Sequence, residues 1–258
     1  MVRTRVFALF AAVLLVLSGC SAFFDFNAFS SLDKPAVPNP SRYQGVGGLS
    51  NLHADLGSPA IVDALKGDPA TVAAIEANLI ATYNVTVGPL TTPDQQAAAI
   101  LYSDLALKST SGDALVNNIV ANVLTTPSGN IQSMLASIVP ADVAADPVKF
   151  SNMVAGLLAA NTAYQVLGAA LVPASPPPGM NMGDVAQKAA VAFLMERVVT
   201  AVAVNVSPLD PVTEMFKLVN NQANAISANL STSPANPLNP LPGWLKNIFD
   251  AAGAPYPA

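Results

Sequence analysis

The chain has 258 residues, 52% of them hydrophobic and only 10% charged, with 16 Asp and Glu against 11 Lys and Arg for a net charge of −5. This acidic balance, with no basic stripe, argues against nucleic-acid binding, and the high apolar content argues against disorder of the body. One cysteine and one histidine exclude an intrachain disulfide and leave too few soft ligands for an ordinary transition-metal site.

At the N-terminus, Arg3 and Arg5 precede an unbroken apolar run from Val6 to Leu17. That run is shorter than the roughly 20 helical residues a bilayer core requires, and its basic start and small closing residues fit a secretion signal. The run closes on Leu17-Ser18-Gly19-Cys20, which resembles the lipobox of bacterial lipoproteins. The resemblance covers the first 20 residues. It implies cleavage before Cys20, removal of residues 1–19, and a thioether-linked diacylglycerol on Cys20 with a further acyl chain on the new amino group. Each buried methylene of such chains contributes about 0.8 kcal/mol, and two or more chains make a stable anchor. On this reading the thiol is consumed, and Cys20 is a lipid-attachment residue with no catalytic or redox role. Ser21 stands where an aspartate tends to retain lipoproteins in the inner membrane, which points to the outer membrane in a diderm source. Losing Arg3 and Arg5 makes the mature chain two charges more acidic than the whole.

Residues 20–57 read as a lipidated tether and lead-in. Phe23, Phe24, Phe26 and Phe29 either begin the fold or dip into the lipid interface. Pro35 to Pro40 is a proline-stiffened spacer, and Gly45-Val46-Gly47-Gly48 a flexible one.

From residue 58 the punctuation is helical. Ser58-Pro59, Asp68-Pro69, Thr92-Pro93, Thr126-Pro127, Asp146-Pro147 and Asp210-Pro211 each set a capping residue before a proline, the arrangement of a helix start. Apolar stripes at helical spacing follow: Val72, Ile75 and Leu79; Leu115, Ile119 and Val123; Phe150 through Leu171; Val212 through Leu230. The pattern predicts helices near 59–66, 69–83, 93–109, 113–125, 129–139, 147–171, 183–206 and 211–230, with a short one near 243–251. Residues 184–206, apolar on nearly every face, read as a central buried helix. Glu196 and Arg197 in its middle argue against a second membrane span. Tyr83 to Gly88 is the one stretch with some strand character. Pro234, Pro237, Pro240 and Pro242 form an extended strap before Trp244.

Residues that bear chemistry are sparse. His53 and Asp55 read as a structural pair. Glu76, Glu196 and Glu214 are the only glutamates, and their spacing does not suggest a paired-carboxylate hydrolase. Gly45–Gly48 lacks the Gly-Lys-Ser/Thr ending of a phosphate loop, and no Gly-x-Ser-x-Gly elbow accompanies Ser50. Trp244, Leu245, Ile248 and Phe249 form an amphipathic turn, either a plug for a partner or a piece folded back on the bundle.

The expected architecture is all-α, an irregular multi-helix bundle or stacked helical hairpins over 58–258, preceded by the signal peptide (1–19) and the extended tether. No cofactor, metal or catalytic residue is expected. The expected function is that of a non-enzymatic, lipid-anchored envelope protein that binds a protein partner or acts as a scaffold. One alternative is a binder of an apolar small molecule or lipid between the 147–171 and 184–206 helices, with Met134, Met153, Met195 and Met215 lining the cavity. Another is a tetratricopeptide-like accessory subunit of an envelope transporter; one helix-start interval has that repeat's length, but its signature residues are not met in register.

Overall fold

A computed structural model of the chain describes residues 36–83, 92–123, 137–171, 176–206, 208–220 and 242–254. Cys20, the signal, the four early phenylalanines, Asn84 to Gly88, Met134 and most of the proline strap lie outside these residues. Among the described residues the fold is all-α, with ten α-helices and no strand. The helices are α1 (Gly45–Leu56), α2 (Pro59–Lys66), α3 (Pro69–Tyr83), α4 (Pro93–Ser109), α5 (Gly112–Val123), α6 (Ala141–Ala144), α7 (Pro147–Ala170), α8 (Met182–Val206), α9 (Pro211–Val219) and α10 (Gly243–Ala251). A 3-10 turn over Pro40–Tyr43 precedes them.

The proline-marked starts act through their side chains. Thr92 accepts from the amide of Gln95, whose own side chain accepts from the Thr92 amide, so both ends of a capping box are closed. Asp146 accepts from the amides of Val148 at 2.8 Å and Lys149 at 3.2 Å. Asp210 accepts from the amide of Thr213 at 2.8 Å, and Asp68 from that of Thr71 at 3.0 Å. Ser58 is the exception among the described starts, since α2 begins at Pro59 without a side-chain cap; Thr126-Pro127 and most of the expected 129–139 helix lie outside the described residues.

Two differences from expectation concern what lies inside. Gly45–Gly48, expected as a flexible spacer, opens α1, which buries Leu49, Leu52 and Leu56. The glycines serve close approach: a side chain at Gly48 would collide with the Tyr43 backbone of the preceding turn. The centre of the bundle, in turn, is the pair α4 and α7 rather than α8. α4 buries Gln96 to Leu101, Ser103 and Leu105 to Leu107, and packs on α1, α2, α3, α5 and α7. The second half of α8 reaches the surface, where Val204 is 78% exposed. Helical hydropathy alone does not report which apolar helix the others surround.

α7 is long and apolar enough to cross a membrane, yet 56% of its apolar stretch is buried against neighbours, among them α4, α8 and α10. α9 ends at Val219, where Asn220 donates to the Phe216 carbonyl; residues 221–230 of the expected helix lie outside the described residues. The C-terminal turn folds back as α10. Leu245 and Ile248 are buried, Asn247 Nδ2 donates to the Gly168 carbonyl at 2.9 Å, and Trp244 meets Phe193 edge-on at 6.0 Å. The α10 backbone passes so close that a side chain at Gly168 would strike the Trp244 carbonyl.

Candidate functional site

The residues that drew attention in the sequence are dispersed. His53 is exposed on α1. Asp55 does not pair with it: its carboxylate accepts from the Tyr43 hydroxyl at 2.9 Å and lies 3.5 Å from Arg42. Burial and that same hydrogen bond to Asp55 raise the Tyr43 pKa. Glu196 and Arg197 sit at the surface, 3.8 Å apart, with the guanidinium 5.0 Å over the Phe193 ring. Glu214 is buried and bonded to Lys217 at 2.5 Å. Met153, Met195 and Met215 are buried in the core. Among the described residues no group of three or more His, Cys, Asp and Glu is placed to hold a metal ion.

A cleft of about 370 Å³ opens on a different stripe of α7. Leu65 and Lys66 from the end of α2, Pro69, Val72, Ala73 and Glu76 of α3, Tyr102 and Ala106 of α4, and Asn152, Ala155, Gly156 and Ala159 of α7 line it. Its depth follows from small residues. A side chain at Gly156 would collide with Thr110 and come within 2.6 Å of the Ala106 carbonyl, so α4 and α7 touch nearly backbone to backbone. Alanines at 73, 106, 155 and 159 leave the space above that contact unfilled.

The hydroxyls at its edge are committed as donors. Thr110 donates to the Ala106 carbonyl at 2.6 Å, and Ser109 to the same oxygen at 3.4 Å. Lys66 turns to Asp63 at 3.6 Å. Glu76 is half-buried, and no hydrogen bond or ion pair reaches its carboxyl among the described residues. Burial raises its pKa. Tyr102 stacks at a tilt on Tyr83, ring centres 5.5 Å apart. Burial, then the neighbouring Tyr102 and Glu76, push the Tyr83 hydroxyl up to about 12. Burial and then Glu76 raise Tyr102. Among the described residues the cleft therefore joins a carboxyl without a hydrogen-bond or ion-pair partner, an aromatic wall and an apolar floor, with no histidine in its lining.

A second polar group lies between α4, α7 and α8. Lys188, nearly buried, bonds Asp104 at 2.8 Å and Asp184 at 2.6 Å. Burial pulls its pKa down, but the two carboxylates outweigh burial and hold it above the ordinary lysine value. Asn161 Oδ1 is buried nearby in the core without a partner among the described residues, and the Tyr164 hydroxyl is buried beside Ser103. This group is closed to solvent except at Asp184, which suits a register pin between helices better than a binding site.

The cleft was hidden in the sequence because its walls come from four helices spread over residues 65–159. The available signal was Glu76, an acid on the half-buried flank of an otherwise apolar helix. No protein-family model matches the chain, and comparison with curated sequences and with solved structures finds no similar protein.

Proposed function

We propose that the protein is a non-enzymatic binding protein of the bacterial cell envelope, anchored by acyl chains on Cys20, that receives a small ligand in the cleft between α2, α3, α4 and α7. The observation that carries the binding reading is the cleft itself. Its volume of about 370 Å³ falls within the range of small-molecule sites, about 300–1,000 Å³, and such sites combine apolar lining with a few convergent polar groups. The lack of an activated nucleophile or paired acid beside Glu76 favours binding over turnover. The anchor rests on the lipobox, and Ser21 favours the outer membrane in a diderm host. Docking of a protein partner or a scaffold role is a second reading, favoured by a chain with only 10% charged residues, since a weakly charged surface resists association little.

Metabolic labelling with an alkyne-bearing fatty acid in a bacterial host, followed by membrane fractionation, tests the anchor. The wild type is expected to take up label and sediment with membranes. Cys20→Ser is expected to lose the label and retain its uncleaved leader. Label on Cys20→Ser, or a wild type released unlabelled, would refute the anchor.

A further inference from the structure

We infer that the cleft is a site for an organic ammonium ion, in which the Glu76 carboxylate takes the charged head, Tyr102 faces it with an aromatic ring, and the small-residue floor of α4 and α7 holds a short apolar body. The inference deepens the binding reading above and rests on it.

The argument begins with what the cleft lacks. A carboxylate half-buried among apolar atoms is unfavourable unless a cation or hydrogen-bond donors meet it. The other carboxylates held by the fold are met: Asp55 by Tyr43 and Arg42, Asp104 by Lys188, Glu214 by Lys217. Glu76 stands without such a partner among the described residues, although Lys66 lines the same cleft and is turned to Asp63. The hydroxyls of Ser109 and Thr110 spend their hydrogens on the Ala106 carbonyl and keep only acceptor lone pairs. Lys66, Asn152 and the Tyr102 hydroxyl also line the cleft and can donate, but Lys66 is turned to Asp63, so beside Glu76 the charge left to be met is negative and the complementary ligand is positive.

Alternatives fit less well. A hydrocarbon or acyl chain would cover Glu76 without compensating it. An anion would meet a like charge. A hard metal ion takes six or more oxygens, and the cleft supplies one carboxyl. An ammonium needs one carboxylate, gains further from an aromatic face, and leaves its carbon body for Ala106, Ala155 and Ala159. The raised pKa of Glu76 adds a signature: binding requires the ionised carboxylate, so affinity falls on acidification before an ordinary surface glutamate would titrate.

Isothermal titration calorimetry on the full-length lipidated protein in nanodiscs, with empty nanodiscs as blank, tests this. The probes are 2-phenylethylammonium and its neutral isostere 2-phenylethanol. The variants are Glu76→Gln and the cleft-filling Ala73→Trp, with thermal melts confirming that both are folded. The ammonium is expected to bind saturably and the alcohol about ten-fold or more weakly. Glu76→Gln is expected to lose about ten-fold or more in ammonium affinity and much less in alcohol affinity, and Ala73→Trp to abolish binding of both. Equal binding of alcohol and ammonium, both lost in Ala73→Trp, would overturn the ammonium assignment and leave the cleft reading standing. Binding of neither probe, or binding unaffected by Ala73→Trp, would overturn both.

Discussion

Lys188 carries the heaviest single-residue burden in the core. Its ammonium is nearly enclosed and holds Asp104 and Asp184 together across α4 and α8. Removing one member of an enclosed pair leaves the other charge uncompensated, at a cost of about 3–5 kcal/mol, whereas replacing both by apolar groups is often neutral. Lys188→Met is therefore expected to lower stability by about that amount in urea unfolding, and Asp104→Leu in the same chain to recover most of it. A double variant no more stable than the single one would show that Asp104 is compensated by something else. The native pKa of Lys188 is raised, so its contribution is complete below the unfolded lysine value of about 10.4 and is lost as pH rises through the native value. Glu76 is the opposite kind of residue: burial raises its pKa, so its ionised form is less favourable in the folded chain than in the unfolded one.

Among elements, α10 depends on one atom's width. Gly168 leaves room for the Trp244 backbone, and the Gly168 carbonyl accepts from Asn247. Gly168→Ala is expected to lift α10 off α7, costing about 1–3 kcal/mol as an overpacking change. Trp244 is the only tryptophan, so a red shift of native fluorescence reports the detachment directly. An unshifted spectrum with unchanged stability would mean that α10 seats without this contact. The helix starts were legible in the sequence because Asp68, Thr92, Asp146 and Asp210 satisfy free amides with their own oxygens, a local matter. α1 was not, since Gly45, Gly47 and Gly48 have the composition of a spacer and Gly48 is explained only by the approach of Tyr43. The centrality of α4 was masked by its polar residues Gln96, Ser103 and Asp104, of which Ser103 meets the Ala99 and Ala160 carbonyls and Asp104 pairs with Lys188 on α8.

For the molecule as a whole, pH acts through two opposed sets of acids. The side-chain and backbone hydrogen bonds from Thr213 lower the pKa of Asp210, and those from Thr71 lower that of Asp68. These caps stabilise the fold above the unfolded carboxylate value of about 3.9, and the benefit is lost as pH falls through the native values. Burial raises Glu76, so the native state binds its proton more readily than the unfolded chain, and stability falls as pH rises from the unfolded value through the native one. The melting temperature is expected to rise modestly as pH falls through the raised native Glu76 value and to drop below about 4, as the caps lose their charge. Glu76→Gln is expected to flatten the first limb and leave the second. A first limb unchanged in that variant would assign it to other groups. The cleft that holds Glu76 is a whole-molecule property, which is why four well-predicted helices did not reveal it: periodicity gives each helix its apolar face but not the space left where several small-residue faces meet.

The polar residues buried on α7 have a consequence for biosynthesis. On the lipoprotein reading, this chain is threaded unfolded through a secretion channel, where each segment samples the lipid beside it. α7 has the length and hydropathy of a stop-transfer sequence, and lateral escape there would strand the body in the bilayer. Asn161 and Tyr164, near the middle of the helix, oppose that partitioning, because polar side chains at the bilayer centre are penalised. On that reading, Asn161 and Tyr164, whose side chains pack inside the folded core, would also help the central helix pass through the channel instead of into the membrane.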